Sequence, residues 1–507
     1  MFIYCPKDEI LNQNGRSFKT IMELKKAMLN WPKGSRVLTQ RGYSLPKSVL
    51  SEKDYAFIRK ELIVKPEALP QFDMGASEFP VYFESKDRIY LPRSWATKIL
   101  GDPELDIRSA GNPLREELVF TGKLRDEQIP IVNTFLASEA NGLLCVPCGY
   151  GKTFMALWLA FKLKKRFLVV VHKEFLMSQW RKELESLVPG IKIGIVQGDL
   201  CQIDDSYDCA IVMIQTLCAR PYSAKTFVDF GFSIFDECHH LGAEHFSKSL
   251  IKIQTMHMLG LSATPDRSDG LTKVFIWFLG PIAYRITHRD PDVTVKVLVY
   301  RYTVDDKSFS EPPLDKNGEI VRARLLNQIA GYKPRTEFLA SKIANFAKEG
   351  RKILILSDRR SHLKDFEQCL KKLDYADIGY YVGSMKQEAL DISEKNQIIL
   401  GTFAMASEAM NIPALNTILL ATPKSNVEQS VGRILREKKE VRKFSPLILE
   451  VLDYQHVGCI GQYKKRRDYY KACGYTLRVI DKDEIAELDE AVAVVEEPVL
   501  ESCAIID

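Results

Sequence analysis

Leu143-Leu144-Cys145-Val146-Pro147-Cys148-Gly149-Tyr150-Gly151-Lys152-Thr153 carries the topology of this chain. It opens as an apolar strand, passes through a glycine turn, and continues as a helix pattern in Phe154-Met155-Ala156-Leu157-Trp158. Backbone N–H groups in such a turn, backed by a helix N-terminus, form a ready anion site for a phosphate chain. The pattern assigns Pro147, Cys148, Gly149, Tyr150 and Gly151 to the cradle, Lys152 to the β/γ-phosphates and the Thr153 hydroxyl to Mg²⁺. The first position of the pattern is usually glycine and here is Val146, so the motif is degenerate when taken alone.

On either side, short β-branched runs alternate with helix patterns. Leu168-Val169-Val170-Val171, Cys209-Ala210-Ile211-Val212 and Phe232-Ser233-Ile234-Phe235 belong to one set. Lys352-Ile353-Leu354-Ile355-Leu356, Gln397-Ile398-Ile399-Leu400 and Thr417-Ile418-Leu419-Leu420 belong to another. Such alternation predicts an α/β protein with two tandem parallel-sheet domains joined by crossover helices. The expected division is an N-terminal accessory domain over 1–115, a first α/β domain over 116–295 and a linker region over 296–335. A second α/β domain over 336–480 and an acidic tail over 481–507 complete it. The linker reading rests on the proline-bearing stretch Glu311-Pro312-Pro313-Leu314-Asp315-Lys316-Asn317-Gly318.

Composition narrows the class. A chain of 507 residues exceeds a single hydrophobic core, so several domains are expected. No apolar run approaches the roughly 18 residues of a membrane span, so no membrane partner is expected. The first ten residues, MFIYCPKDEI, put acids where a secretory leader has its apolar core. Eleven cysteines, an odd number spread through strand patterns, suit a reducing intracellular compartment rather than a disulfide framework. Net charge is +5, but residues 481–507 hold ten acids and one lysine, −9, which leaves +14 on the remainder. A basic body with an acidic tail suits a protein that handles nucleic acid; a solvated surface is the plain alternative.

Asp236 and Glu237 follow the apolar run Phe232–Phe235. A phosphate-loop enzyme needs one carboxylate at such a strand end for Mg²⁺ and a second to orient the attacking water. Asp236 fits the first role and Glu237 the second. Cys145 and Cys148 have redox-motif spacing but lie inside the phosphate loop. Cys238, His239, His240 and His245 match no standard zinc ligand spacing, so neither alternative is carried forward.

In order along the chain these motifs resemble those of superfamily 2 helicases, which have two RecA-like domains. Gly149–Thr153 resembles motif I, Phe175-Leu176-Met177-Ser178-Gln179-Trp180 the motif Ia region, Asp236-Glu237-Cys238-His239 motif II and Ser262-Ala263-Thr264 motif III. Gly401–Pro413 resembles motif V and Gln429-Ser430-Val431-Gly432-Arg433-Ile434-Leu435-Arg436 motif VI. Within that superfamily the chain is similar to XPB-type helicases and to the predicted helicases of large cytoplasmic DNA viruses and phages. The resemblance implies ATP and Mg²⁺ as cofactors, and DNA or RNA as the partner, in an enzyme that translocates or unwinds. Arg125, Gln128 and Asn411 would join the nucleotide contacts, and Gln429, Arg433 and Arg436 would act on the transferred phosphate. Gln215, Thr216, Arg359 and Thr402 would meet nucleic acid. Transcription or replication machinery would be the wider partner. A viral source would imply host cytoplasm or a viral factory, with packaging in the virion. The oligomeric state stays open.

Motif V departs from its usual Gly-x-Asp, reading Ala409-Met410-Asn411. Two other functions stay open: an ATPase of the same fold that remodels protein–nucleic acid complexes without unwinding, and, on the strength of this motif alone, a nucleotide-dependent binding or scaffold protein without turnover. The segment Tyr463-Lys464-Lys465-Arg466-Arg467-Asp468-Tyr469-Tyr470 has two readings, a phosphate-and-stacking surface or a helix packing its tyrosines inward.

Overall fold

The computed structural model describes residues 15–67, 77–147, 149–223, 225–267, 269–286, 291–408, 410, 412–437 and 439–482. The chain divides into two compact units, 1–287 and 288–507, residues 147–149 aside.

The first unit is built on an eight-stranded sheet. Its order is Leu200–Cys201, Ile193–Gln197, Cys209–Met213, Phe167–Val171, Phe232–Phe235, His257–Ser262, Asn141–Cys145, Ile282–Arg285. All neighbours pair in parallel except Leu200–Cys201. Central strands here are apolar on both faces, as a sheet covered on both sides requires: Phe167–Val171 and Phe232–Phe235 are buried at every position. The three strands Phe232–Phe235, His257–Ser262 and Asn141–Cys145 are consecutive neighbours. Their C-terminal ends therefore fall within about 10 Å of one another, at about 4.8 Å per strand.

The N-terminal residues form their own mostly antiparallel sheet, in the order Phe83–Glu84, Arg88–Leu91, Gly42–Pro46, Val37–Thr39, Leu105–Asp106. They do not have their own core. Ile89, Leu91 and Trp95 share one apolar cluster with Leu143, Leu168, Phe275 and Phe278. Arg93, buried, seals that junction by donating to the carbonyls of Phe278 and Leu279 and to the side-chain oxygen of Asn141. Its hydrogen-bond acceptors among the described residues are neutral, and burial pulls its guanidinium down to about 9.

The second unit carries a seven-stranded, wholly parallel sheet: Ile378–Tyr381, Ile398–Thr402, Ile353–Ser357, Thr417–Leu420, Leu447–Asp453, Lys296–Tyr302, Thr476–Asp481. This corrects the linker expectation for 296–335. Lys296–Tyr302 is an interior strand, and Arg322–Gly331 is a helix. The β-branched and aromatic run Val297-Leu298-Val299-Tyr300 is the signal that marks the strand. Asp481 ends the last strand, so only 483–507 of the acidic tail lies outside the described residues.

Candidate active site

The phosphate loop leaves Asn141–Cys145 and enters the helix Lys152–Leu163 through two residues with positive φ, Gly149 at 90° and Gly151 at 79°. At Gly151 the requirement is also steric: a Cβ there would sit 2.6 Å from Gln128 Nε2. Gln128 is buried and donates from Nε2 to the Tyr150 carbonyl at 2.8 Å, while its Oε1 accepts from Arg125 N–H at 2.9 Å. The Arg125 guanidinium donates to the same Tyr150 carbonyl at 2.9 Å. The pair expected to touch nucleotide thus holds the loop by its backbone. Lys152 Nζ donates to the Val146 carbonyl at 3.2 Å, which keeps the ammonium folded over the loop. Cys148 lies outside the described residues. Cys145 is buried, its thiol pushed up to about 12 by that burial, which suits a packed residue and not a redox centre.

Two strands away, Asp236 is half-buried, and its desolvation, together with neighbouring Glu237, raises its pKa. Its Oδ2 accepts from Trp180 Nε1 at 2.8 Å and its Oδ1 from Glu237 N–H at 3.0 Å. Glu237 occupies the left-handed region at φ 46°, which costs a non-glycine residue about 1 kcal/mol or more. Its Oε2 is buried without a hydrogen-bond partner among the described residues, 3.4 Å from His239 Nδ1 in a looser ion-pair contact. His239 Nδ1 also lies 3.1 Å from Ser262 Oγ, and that hydroxyl accepts from Thr264 N–H at 3.2 Å. One chain of contacts therefore joins the acid pair to the turn after His257–Ser262. Sequence reasoning does not reach the Trp180 and His239–Ser262 contacts; Trp180 stands out there only as part of a motif resemblance.

Among the described residues no cluster of three or more His, Cys, Asp or Glu forms a metal cage. Mg²⁺ is normally held by one or two carboxylates together with substrate phosphates. Two adjacent carboxylates, one with an oxygen that has no hydrogen-bond partner among the described residues, match that donor set.

In the second unit the helix Glu428–Val431 tightens to a 3₁₀ turn over Gly432–Leu435. Arg433 is buried, and its guanidinium donates to the Met410 carbonyl at 2.7 Å. Inside this unit that bond braces the backbone of the motif V segment. Gln429 and Arg436 are partly exposed; Ala409 and Asn411 lie outside the described residues. Thr402 ends the strand Ile398–Thr402 and is partly exposed. Arg359 precedes the helix Arg360–Lys372, with its Nε on Asn327 Oδ1 at 2.6 Å.

The nucleic-acid candidates of the first unit separate. Gln215 is exposed, with Nε2 on the His172 carbonyl at 2.8 Å. Thr216 is buried with its hydroxyl accepting from Gly198 N–H at 2.9 Å, so its side chain is a structural brace and not a contact surface. The helix Val457–Ala472 buries Tyr463, Arg466 and Tyr470, which decides the 463–470 segment in favour of inward packing.

A phosphate loop, a strand-end acid pair and a third strand-end hydroxyl lie at the ends of adjacent parallel strands, the arrangement of a nucleotide-binding α/β unit. A family model described as "Type III restriction enzyme, res subunit" matches residues 121–267. Two viral proteins named "Putative ATP-dependent RNA helicase" are similar to the chain. The one from Acanthamoeba polyphaga mimivirus is 31% identical over 452 residues, 87% of this chain and 86% of that protein. The one from African swine fever virus (strain Badajoz 1971 Vero-adapted) is 26% identical over 354 residues, 65% and 68% of the two chains. Among solved structures, T4 UvsW aligns over 85% of this chain and 96% of its own, with 17% identity and a TM-score of 0.31. The chain belongs to the family of viral ATP-dependent helicases that includes the mimivirus protein.

Proposed function

We propose that the first unit binds Mg²⁺·ATP through Lys152, Thr153 and Asp236 and cleaves it with Glu237 as the base. Lys152 supplies a point charge to the β/γ-phosphates. Glu237 orients a water and takes its proton as the water oxygen bonds to the γ-phosphorus. The bond to the β,γ-bridging oxygen breaks, and ADP departs. Asp236 and Thr153 would hold the metal, whose chemistry is to neutralise charge on the phosphates. Arg436 is assigned to the charge that develops in the transition state. The observation that carries this reading is Glu237 itself: a strained backbone and a buried carboxylate oxygen with no hydrogen-bond partner among the described residues.

The substrate proposed is a nucleic-acid strand, with Gln215, Arg359 and Thr402 as contacts to its backbone. RNA is favoured by the names of the two viral relatives. The site of action proposed is the host cytoplasm or a viral factory, alongside transcription or replication machinery. Among the described residues eight cysteines are free thiols, in keeping with a reducing compartment. The test is ATP turnover by wild type and Glu237→Gln with single-stranded RNA, single-stranded DNA and duplex DNA. Stimulation by one of these, lost in the variant, is expected. Unchanged turnover in Glu237→Gln would remove Glu237 from the chemistry. Strand displacement measured beside triplex displacement separates unwinding from remodelling.

A further inference from the structure

The N-terminal sheet packs one face on the shared core, through Tyr43, Leu45, Ile89 and Leu91, all buried. Period-two alternation sends the intervening residues to the other face. Register aligns them in one row across the strands: Phe83 opposite Tyr90, Tyr90 opposite Ser44, Ser44 opposite Val37, Val37 opposite Leu105. Ser44 and Val37 are buried and Tyr90 is half-buried, so the aromatic surface left open is at the Phe83 end. Phe83 is 43% exposed, a large aromatic surface to leave in water. Its ring lies 5.9 Å from that of Tyr90, and the Arg41 guanidinium sits 5.7 Å from the Phe83 ring and 5.6 Å from the Tyr90 ring.

Arg41 is aimed by its turn. It lies in the two-residue hairpin between Val37–Thr39 and Gly42–Pro46, with its N–H donating to Thr39 Oγ1 at 3.1 Å. Gly42 follows at φ 109°, where a Cβ would come 2.6 Å from the Leu91 carbonyl oxygen. Among the described residues no carboxylate lies within ion-pair distance of Arg41. The contrast lies nearby in the same sheet, where Glu84 takes up Lys47 at 2.8 Å and Arg59 at 3.8 Å. Arg41 is a cation left for an external anion, next to rings left for an external π-face.

We infer that this face, centred on Phe83, Tyr90 and Arg41, is a second nucleic-acid contact that stacks bases of a single strand, separate from the strand-end motifs. Stacking on aromatic side chains, with a cation for the phosphates, is how single strands are held with little sequence preference. Duplex DNA has no free base faces to offer. The inference rests on the nucleic-acid reading given above.

The experiment uses the full chain and fluorescence anisotropy with labelled oligo(U), oligo(dT) and a DNA duplex. Phe83→Ala is expected to raise the single-strand Kd about fivefold or more. Arg41→Ala is expected to weaken single-strand binding and to reduce the slope of log affinity against log salt by about 0.7, the value for one phosphate contact. ATP turnover without nucleic acid should match wild type in both variants. Arg41 sits on an exposed turn, so its variant reports even where a sheet substitution perturbs folding; circular dichroism and melting check Phe83→Ala. Single-strand Kd and salt slope unchanged in both variants overturns the inference while leaving the ATP site standing. A loss confined to the duplex overturns it as well. A wild-type chain that binds none of the probes removes the nucleic-acid reading itself, and this face with it.

Discussion

The core of the second unit and the strand-end acid pair of the first handle charge differently. In the second unit, the two most deeply buried arginines are both met by carboxylates. Arg335, wholly buried, donates to both oxygens of Asp453 at 2.6 and 3.0 Å and to the Ala421 carbonyl at 2.9 Å. Arg466 meets Glu450 at 2.7 Å, and the same carboxylate accepts from Tyr470. At the strand-end acid pair of the first unit, half-buried Asp236 has a raised pKa, and Glu237, on a strained backbone, keeps a carboxylate oxygen with no hydrogen-bond partner among the described residues. Satisfied charge makes a rigid scaffold that gains little from further ligands. Unsatisfied charge is stored free energy that a metal and a polyphosphate can release on binding. Of the two places, the strand-end acid pair is the one that a ligand would complete.

The largest effect is expected at Arg436, the residue of the second unit to which chemistry is assigned. Arg436→Ala should lower kcat about 10³- to 10⁵-fold with ATP affinity nearly kept, since such an arginine acts on transition-state charge. Steady-state kinetics decide it, and a defect confined to KM argues against the role. Next comes Glu237→Gln, with kcat down about 10²- to 10⁴-fold. Because the variant removes an unsatisfied anion, its Tm should equal or exceed that of wild type by calorimetry. A clear drop in Tm would show that Glu237 serves the fold.

Asp453→Asn tests the satisfied unit. It leaves Arg335 buried without its counter-charge and is expected to cost about 3–5 kcal/mol of stability in denaturant unfolding. A loss below about 1 kcal/mol would mean that the pair is solvated. The smallest effect is a pH dependence. His362 is buried with Nδ1 3.1 Å from Ser357 Oγ, and burial pulls it down to about 3. Its folded pKa is depressed, so its contribution is full above the unfolded value of about 6.5 and is lost as pH falls toward 3. Between pH 7 and pH 5 the loss should be about 2 kcal/mol, and His362→Gln should flatten it. A stability profile equally steep in the variant assigns the slope elsewhere.

Where the backbone pattern is local, the sequence is legible. Leu168-Val169-Val170-Val171 reads as a strand buried on both faces, and the motifs fall at strand ends because parallel sheets put ligands there. Lys296–Tyr302 escapes that reading because its partners, Leu447–Asp453 and Thr476–Asp481, lie far along the chain, and a proline-bearing loop nearby carries the louder local signal. Motif position assigns roles to Thr216 and Arg433 by residue type and spacing, but does not say which way a side chain points. Both turn inward. The Trp180–Asp236 bond links residues from a helix and a separate strand and has no spacing rule to reveal it.

The strand hidden beside that loop also sets a schedule for synthesis. Lys296 pairs with Leu447 on one side and Thr476 on the other, so the first strand of the second sheet must wait for almost the last. At about 5–20 residues per second, that wait is on the order of ten seconds on the ribosome. The strands of the first sheet are all made by Arg285. The strands of the first sheet can therefore assemble during translation, while Lys296–Tyr302 emerges without either of its partner strands.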